Sequence, residues 1–302
     1  MQAQGFEVMR RLVPASACAA LRADVLARAA ASREAAIDRV MSDMAAGREG
    51  RMAASAVRSP LHRAHVSLPL TPTTREVLSL AATGVCGAFS RAGLDPTAAR
   101  LVELSAMVSF PGAAAQTPHT DIPPYAPATR RLCTLWVALQ DVTRTMGPTM
   151  VHPCPPEELC VRVAARFGIA GEGVAREAEE QTQRASGRRR RKSAPTRERS
   201  VGARVDPWAP EGLNLLPAVA LLLSAGDACV VDGRFFHFGG ANESATPRVL
   251  LSASFESTAT AGGSLEPEDG FTYELLGNLE GKFVLGDFID TSFQQAPRDR
   301  DM

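Results

Sequence analysis

The amino-acid sequence predicts an α+β fold with a mainly β core, a double-stranded β-helix (jelly roll) with supporting N-terminal helices. Three observations predict it. Long helical periodicity is confined to residues 14–93. The later chain consists largely of short β-prone apolar runs bounded by Gly and Pro turns, at the spacing of hairpins. A His-x-Asp pair, His119 and Asp121, stands just before one of those runs. Alternate side chains of an extended segment share a face, so this imidazole and carboxylate can converge on one ion.

The elements follow in order. Phe6 to Val13 alternates enough for a short strand, and Pro14 opens a helical pattern to about Ala46 with Leu21, Val25, Leu26, Ala29 and Ala30 as its apolar stripe. SPLHRAHVSLPL reads as a strand; its His62 and His65, three residues apart, face opposite sides and are expected at the surface or in a substrate pocket. Thr73 to Ala92 is a second amphipathic helix stopped by Gly93. Ala99 to Phe110 is a strand, the His119 and Asp121 pair ends the next one, and Arg131 to Leu139 follows. MGPTMVHPCPP supplies a turn and a short strand, with His152 as a loop histidine, and Glu157 to Phe167 a short helix. Val219–Leu223, Ala228–Val231, Phe235–Phe238 and Val249–Phe255 complete the β set, and GNLEGKFVLGDFI is expected to add an edge strand.

With 302 residues, of which 45% are hydrophobic, the chain can bury one substantial core. The expected organisation is a single domain over 1–302, with helical support at 14–93 and a disordered basic insertion at 171–205. A formal net charge of zero argues against a nucleic-acid or membrane footprint for the core. The insertion differs: GRRRRKSAPTRERS is a run that an anionic partner or an import receptor could bind. Six scattered cysteines lack C-x-x-C spacing, which indicates reduced thiols rather than a zinc knuckle or disulfide framework. The longest apolar stretch, Leu213 to Ala225, is too short to span a bilayer. A cytoplasmic protein is expected, with the nucleus as the alternative that the basic run raises.

A third metal ligand is available in His237, in DACVVDGRFFHFGG, the only later histidine in strand-like sequence that ends in a Gly pair. Two His and one carboxylate form the facial triad of non-haem Fe(II) oxygenases, which leaves three positions open for O2 and an organic co-substrate. Eleven residues after His237 and across the turn GGANESATP, Arg248 opens another strand. A guanidinium there suits a dicarboxylate such as 2-oxoglutarate, because its planar fork meets a carboxylate bidentately.

These residues carry a resemblance to the phytanoyl-CoA hydroxylase-like family of Fe(II)/2-oxoglutarate-dependent dioxygenases. His119 and Asp121 match its first two ligands, and LWVALQDVTRTMGPTMVHP resembles its strand-turn segment. AGDACVVDGRFFHFGGANES followed by PR carries the distal His237 and Arg248 in the family's order, and the resemblance covers about residues 5 to 256. It implies a jelly roll that binds Fe(II), 2-oxoglutarate and O2, with ascorbate as an accessory, and an aromatic, Trp136, lining the co-substrate pocket. Gly239 stands where the family can offer a hydroxyl to the co-substrate. Asp121 implies hydroxylation rather than halogenation, since halogenating members carry a small residue there. The expected activity is hydroxylation of an unactivated C–H bond in a small-molecule or acyl substrate, with decarboxylation of 2-oxoglutarate to succinate. Two other classes fit the residues alone: a non-catalytic jelly-roll binding or scaffold protein, and a cupin-like metal-dependent hydrolase or isomerase.

Overall fold

Two helices lie on one face of a large antiparallel sheet, and a small sheet lies on the other, in a β-rich α+β arrangement. The computed structural model describes residues 4–45, 62–122, 130–154, 217–258 and 275–290, with side chains of the first helix described only to residue 31. The elements are β1 (Phe6–Met9), α1 (Ala15–Ala45), β2 (Arg63–Ser67), α2 (Pro72–Arg91), β3 (Arg100–Ser109), β4 (Arg130–Ala138), β5 (Thr149–Val151), β6 (Val219–Ala220), β7 (Ala228–Asp232), β8 (His237–Gly239) and β9 (Arg248–Thr258). The large sheet has the order β1-β7-β4-β9-β3-β2 and the small one β6-β5-β8.

Period-2 alternation in the long central strands divides the core into two layers. Cys133, Leu135 and Val137 of β4, with Val249, Leu251, Ala253 and Phe255 of β9, face Leu21 and Val25 of α1 and Leu78, Ala82, Val85 and Phe89 of α2. Trp136 and Ala138 of β4, Leu250 of β9 and Cys229 and Val231 of β7 face Val151, Leu221 and Leu223 at the small sheet. A helix begins at α2 because the Thr71 side chain accepts from the Thr74 amide at 3.1 Å and Pro72 occupies the first turn. It ends where Gly93 takes φ +81°.

Several expectations need correction. The last segment forms no edge strand; it is a 3-10 turn, Leu285–Phe288, whose Phe288 packs on Phe255 with ring centroids 6.1 Å apart. His152 follows β5 as expected, yet it is 1% exposed, packed near Phe238 with Nδ1 at 3.3 Å from the Pro217 carbonyl. The segment holding His119 is not a full strand and touches β8 through one isolated bridge. The expected helix over 157–167 and the basic insertion at 171–205 lie outside the described residues. Among the described residues Cys18, Cys133 and Cys229 are free thiols, and no helix is long and apolar enough to cross a membrane.

Candidate metal centre

The backbone of residues 116–122 is zipped antiparallel to residues 233–239. Gln116 N donates to the Gly239 carbonyl at 2.8 Å, and Asp121 N to the Gly233 carbonyl at 2.8 Å. Between them His119 and His237 exchange both amide bonds, at 3.0 and 2.9 Å. This pairing sets the two imidazoles side by side, with ring centroids 4.7 Å apart. The β-period then turns Asp121 to the same side as His119.

The three side chains meet. One ligand atom from each of His119, Asp121 and His237 lies within 4.8 Å of the others, a cluster of two imidazoles and one carboxylate. Nδ1 of His119 faces the Thr117 carbonyl at 2.8 Å, and Nδ1 of His237 faces the Phe235 carbonyl at 3.0 Å. A carbonyl only accepts, so each Nδ1 carries the proton and each Nε2 keeps its lone pair for an ion. Asp121 divides its oxygens: Oδ1 lies 3.4 Å from His237 Nε2, while Oδ2 accepts from Thr134 Oγ1 at 3.2 Å.

Protonation follows from these neighbours. Burial, and then the charge of His237, push the His119 imidazole down to about 4 against a smaller upward pull from Asp121. His237 is buried too, but Asp121 outweighs that penalty and raises it. Burial works against the Asp121 carboxylate, and the two histidines outweigh it and hold Asp121 below the usual carboxylate range. Two imidazole nitrogens and an ionised carboxylate on one side of an open cluster are the donor set of a facial Fe(II) site.

Trp136 is brought to this centre. The Trp136 indole meets the His237 ring edge-on, with centroids 5.2 Å apart, and it is also part of the apolar layer between the sheets. Arg248 is 2% exposed, donates from Nη1 to the Gly147 carbonyl, and leaves Nε without a partner. No acid pairs with it among the described residues. No local pattern singles out Arg63 of β2, whose charge acts on Arg248. Arg63 Nη2 donates to the carbonyls of Ala114 at 2.7 Å and Gly240 at 2.8 Å, and its buried Nε has no partner. Burial first, and then the charge of Arg63, push the Arg248 guanidinium down to about 9.

Gly239 has a steric reason. A Cβ there would stand 2.6 Å from Gln116 Oε1 and 2.8 Å from Arg63 Nη1, so the space a hydroxyl-bearing side chain would use is already held by those two residues. Among the described residues no acid pairs with the buried Arg248 or with the half-buried Arg63 near it. His62 lies near Gly112 and is not one of the clustered donors. Pro123, Pro124 and Tyr125, which directly follow the Asp121 segment, lie outside the described residues. A separate cavity of about 320 Å³, lined by Arg91, Arg131, Asp232 and Arg234, contains none of the clustered donors.

Among solved structures the chain is similar to the non-heme alpha ketoglutarate dependent epimerase SnoN from nogalamycin biosynthesis, at 20% identity and a TM-score of 0.46 over 85% of this chain and 80% of that one. EvdO2 from Micromonospora carbonacea var. aurantiaca, complexed with 2-oxoglutarate, is 19% identical with a TM-score of 0.45, over 89% of this chain and 91% of that one. AviO1 from Streptomyces viridochromogenes Tue57 is 16% identical with a TM-score of 0.42, over 86% and 92% respectively. No curated protein sequence matches the chain. The sequence pattern of phytanoyl-CoA dioxygenase (PhyH) matches residues 1–154, half of the chain, including His119, Asp121 and Trp136. The chain therefore belongs to the phytanoyl-CoA dioxygenase family, whose cofactors are Fe(II) and 2-oxoglutarate.

Proposed function

We propose that this chain is one catalytic domain on a double-stranded β-helix that hydroxylates an unactivated C–H bond of a small-molecule substrate. The observation that carries this reading is the convergence of His119, Asp121 and His237, supported by a buried guanidinium, Arg248, eleven residues after His237, that no acid pairs among the described residues. When bound, Fe(II) and 2-oxoglutarate supply the oxidation: substrate, O2 and 2-oxoglutarate give hydroxylated product, succinate and carbon dioxide.

The chain's own residues do the rest. His119 and His237 present Nε2 lone pairs because their Nδ1 protons are tied to Thr117 and Phe235. Asp121 contributes one negative charge and fills a position that a small residue would leave to a halide, which favours hydroxylation. Arg248 and Arg63 bind the outer carboxylate of the co-substrate, relieving their own uncompensated charge. Trp136 walls the pocket on the His237 side and excludes water there.

His119→Ala and His237→Ala each test the reading. Each variant should keep the fold and lose Fe(II)-dependent succinate release by at least a hundredfold. Full activity in either at saturating Fe(II) removes that histidine from the site. Metal binding by wild type without oxygen-dependent succinate release would favour a hydrolase or isomerase, and no metal binding at all would favour a scaffold.

A further inference from the structure

The face of the large sheet turned toward the metal centre carries a stripe of polar side chains. It starts at Asp121 and crosses four neighbouring strands. Thr134 of β4 donates to Asp121 Oδ2 and lies 2.9 Å from Ser254 Oγ of β9, its direct cross-strand partner. Ser254 donates to Glu103 Oε2 of β3 at 2.7 Å, again across a paired register. Glu103 Oε1 accepts from Ser105 Oγ at 2.7 Å and meets His65 Nε2 of β2 at 3.0 Å, and His65 Nε2 also lies 2.6 Å from Ser105 Oγ.

Such a stripe is costly to bury. Thr134, Ser254 and Ser105 are 3%, 1% and 0% exposed, and the adjoining positions on the opposite face, Leu104, Cys133, Leu135, Ala253 and Phe255, are all apolar and fully packed. The apolar face would hold the sheet without these polar groups, and apolar residues of similar volume in their place would hold it as well or better. Within the stripe each buried group has a partner, so the set is locked as a unit. Its one outlet toward the centre is the second oxygen of Asp121.

We infer that Thr134 is a positioning residue for Asp121, with Ser254 and the Glu103 anchor behind it fixing where the Thr134 hydroxyl stands. This rests on the proposed metal site. Carboxylates only accept, so the Ser254 proton goes to Glu103 and the Thr134 proton to Asp121, the charged acceptor being stronger than a neutral hydroxyl. Ser254 then acts as a stop against Thr134 and not as its donor. Asp121 Oδ2 is occupied, the carboxylate cannot swing, and Oδ1 on the His237 side is the atom left to bind the ion through one oxygen.

The test compares Thr134→Val, which keeps the shape and loses the hydroxyl, with Thr134→Ser, which keeps it. Co(II), whose visible bands report its coordination, is titrated into the metal-free full chain, and melting of the metal-free protein is followed alongside. Thr134→Val should bind Co(II) roughly 10- to 100-fold more weakly with altered bands, the range found when partners of metal ligands are removed. Thr134→Ser should return to within a few-fold of wild type, and Ser254→Ala, one step further out, should weaken binding by a smaller factor. Wild-type affinity and bands in Thr134→Val overturn the inference, and so does equal loss in Thr134→Ser. If Thr134→Val does not fold, Ser254→Ala and Thr134→Ser decide, and unchanged binding in Ser254→Ala overturns the inference. Failure of the metal site itself looks different: wild type would then bind no Co(II), or His237→Ala would bind it as well as wild type.

Discussion

At the scale of a single residue, Arg248 is the most informative side chain in the molecule. Its guanidinium is pushed down to about 9 by burial and by Arg63, and at neutral pH it still carries its charge with no acid beside it among the described residues. An uncompensated buried charge costs several kcal/mol, and on the proposed reading the outer carboxylate of the co-substrate compensates it. Lysine in its place keeps a charge but loses the fork and the reach to the Gly147 carbonyl. Arg248→Lys is expected to raise the Michaelis constant for 2-oxoglutarate roughly ten- to a hundredfold, matching about 1.5 to 3 kcal/mol for a charge-assisted pair, with Fe(II) affinity nearly unchanged. Kinetic titration of 2-oxoglutarate at fixed iron checks this. An unchanged constant beside a lowered melting temperature would make Arg248 structural. Arg248 was legible from its distance to His237, because a short turn must bring it back. Arg63 was not. It precedes Arg248 by 185 residues in sequence, and only the strand order β9-β3-β2 brings the two together.

At the scale of an element, the turn before β5 holds that guanidinium in place. Gly147 has φ +66°, and a Cβ there would lie 2.3 Å from the Gly240 carbonyl oxygen and 2.7 Å from that of Ala241. Both are backbone atoms in the turn after β8, so neither yields as a flexible side chain would. Gly147→Ala should cost at least about 2 kcal/mol from left-handed strain and crowding, and lower the melting temperature by several degrees. It should also raise the 2-oxoglutarate constant, because the Gly147 carbonyl is the one Arg248 engages. Wild-type kinetics with only a lowered melting point would separate the turn from the site. Local pattern made α1, α2, β3, β4 and β9 legible in the sequence, since each has a strong apolar period and a capping or turn signal at its end. The segment around His119 and the last segment were misread as strands. Whether a short extended stretch becomes a strand depends on a partner distant in sequence, and Leu285–Phe288 instead packs Phe288 against Phe255 of β9 and Arg75 of α2.

At the scale of the whole molecule, the proposed centre is a clasp between distant parts of the chain. His119 and His237 are 118 residues apart, and Asp121 is tied through Thr134 to the large sheet while His237 belongs to the small one. An ion held by all three would bind the native arrangement and not the unfolded chain, in which these ligands are scattered, so binding is coupled to folding. At a metal concentration about 100 times the dissociation constant the coupling is worth about 2.7 kcal/mol. For a chain of 302 residues, whose unfolding entropy is about 0.6 kcal/mol/K, that corresponds to a rise in melting temperature of roughly 4 °C. Anaerobic melting of wild type with and without Fe(II) should show this rise, and added 2-oxoglutarate should extend it by compensating Arg248 and Arg63. His237→Ala should lose the response to iron and keep the metal-free melting temperature within a few degrees, since the His237 amide and carbonyl that pair with His119 remain. A wild-type protein whose melting is indifferent to Fe(II) would mean that these side chains cluster for another reason. A His237→Ala variant that still responds would place the ion elsewhere.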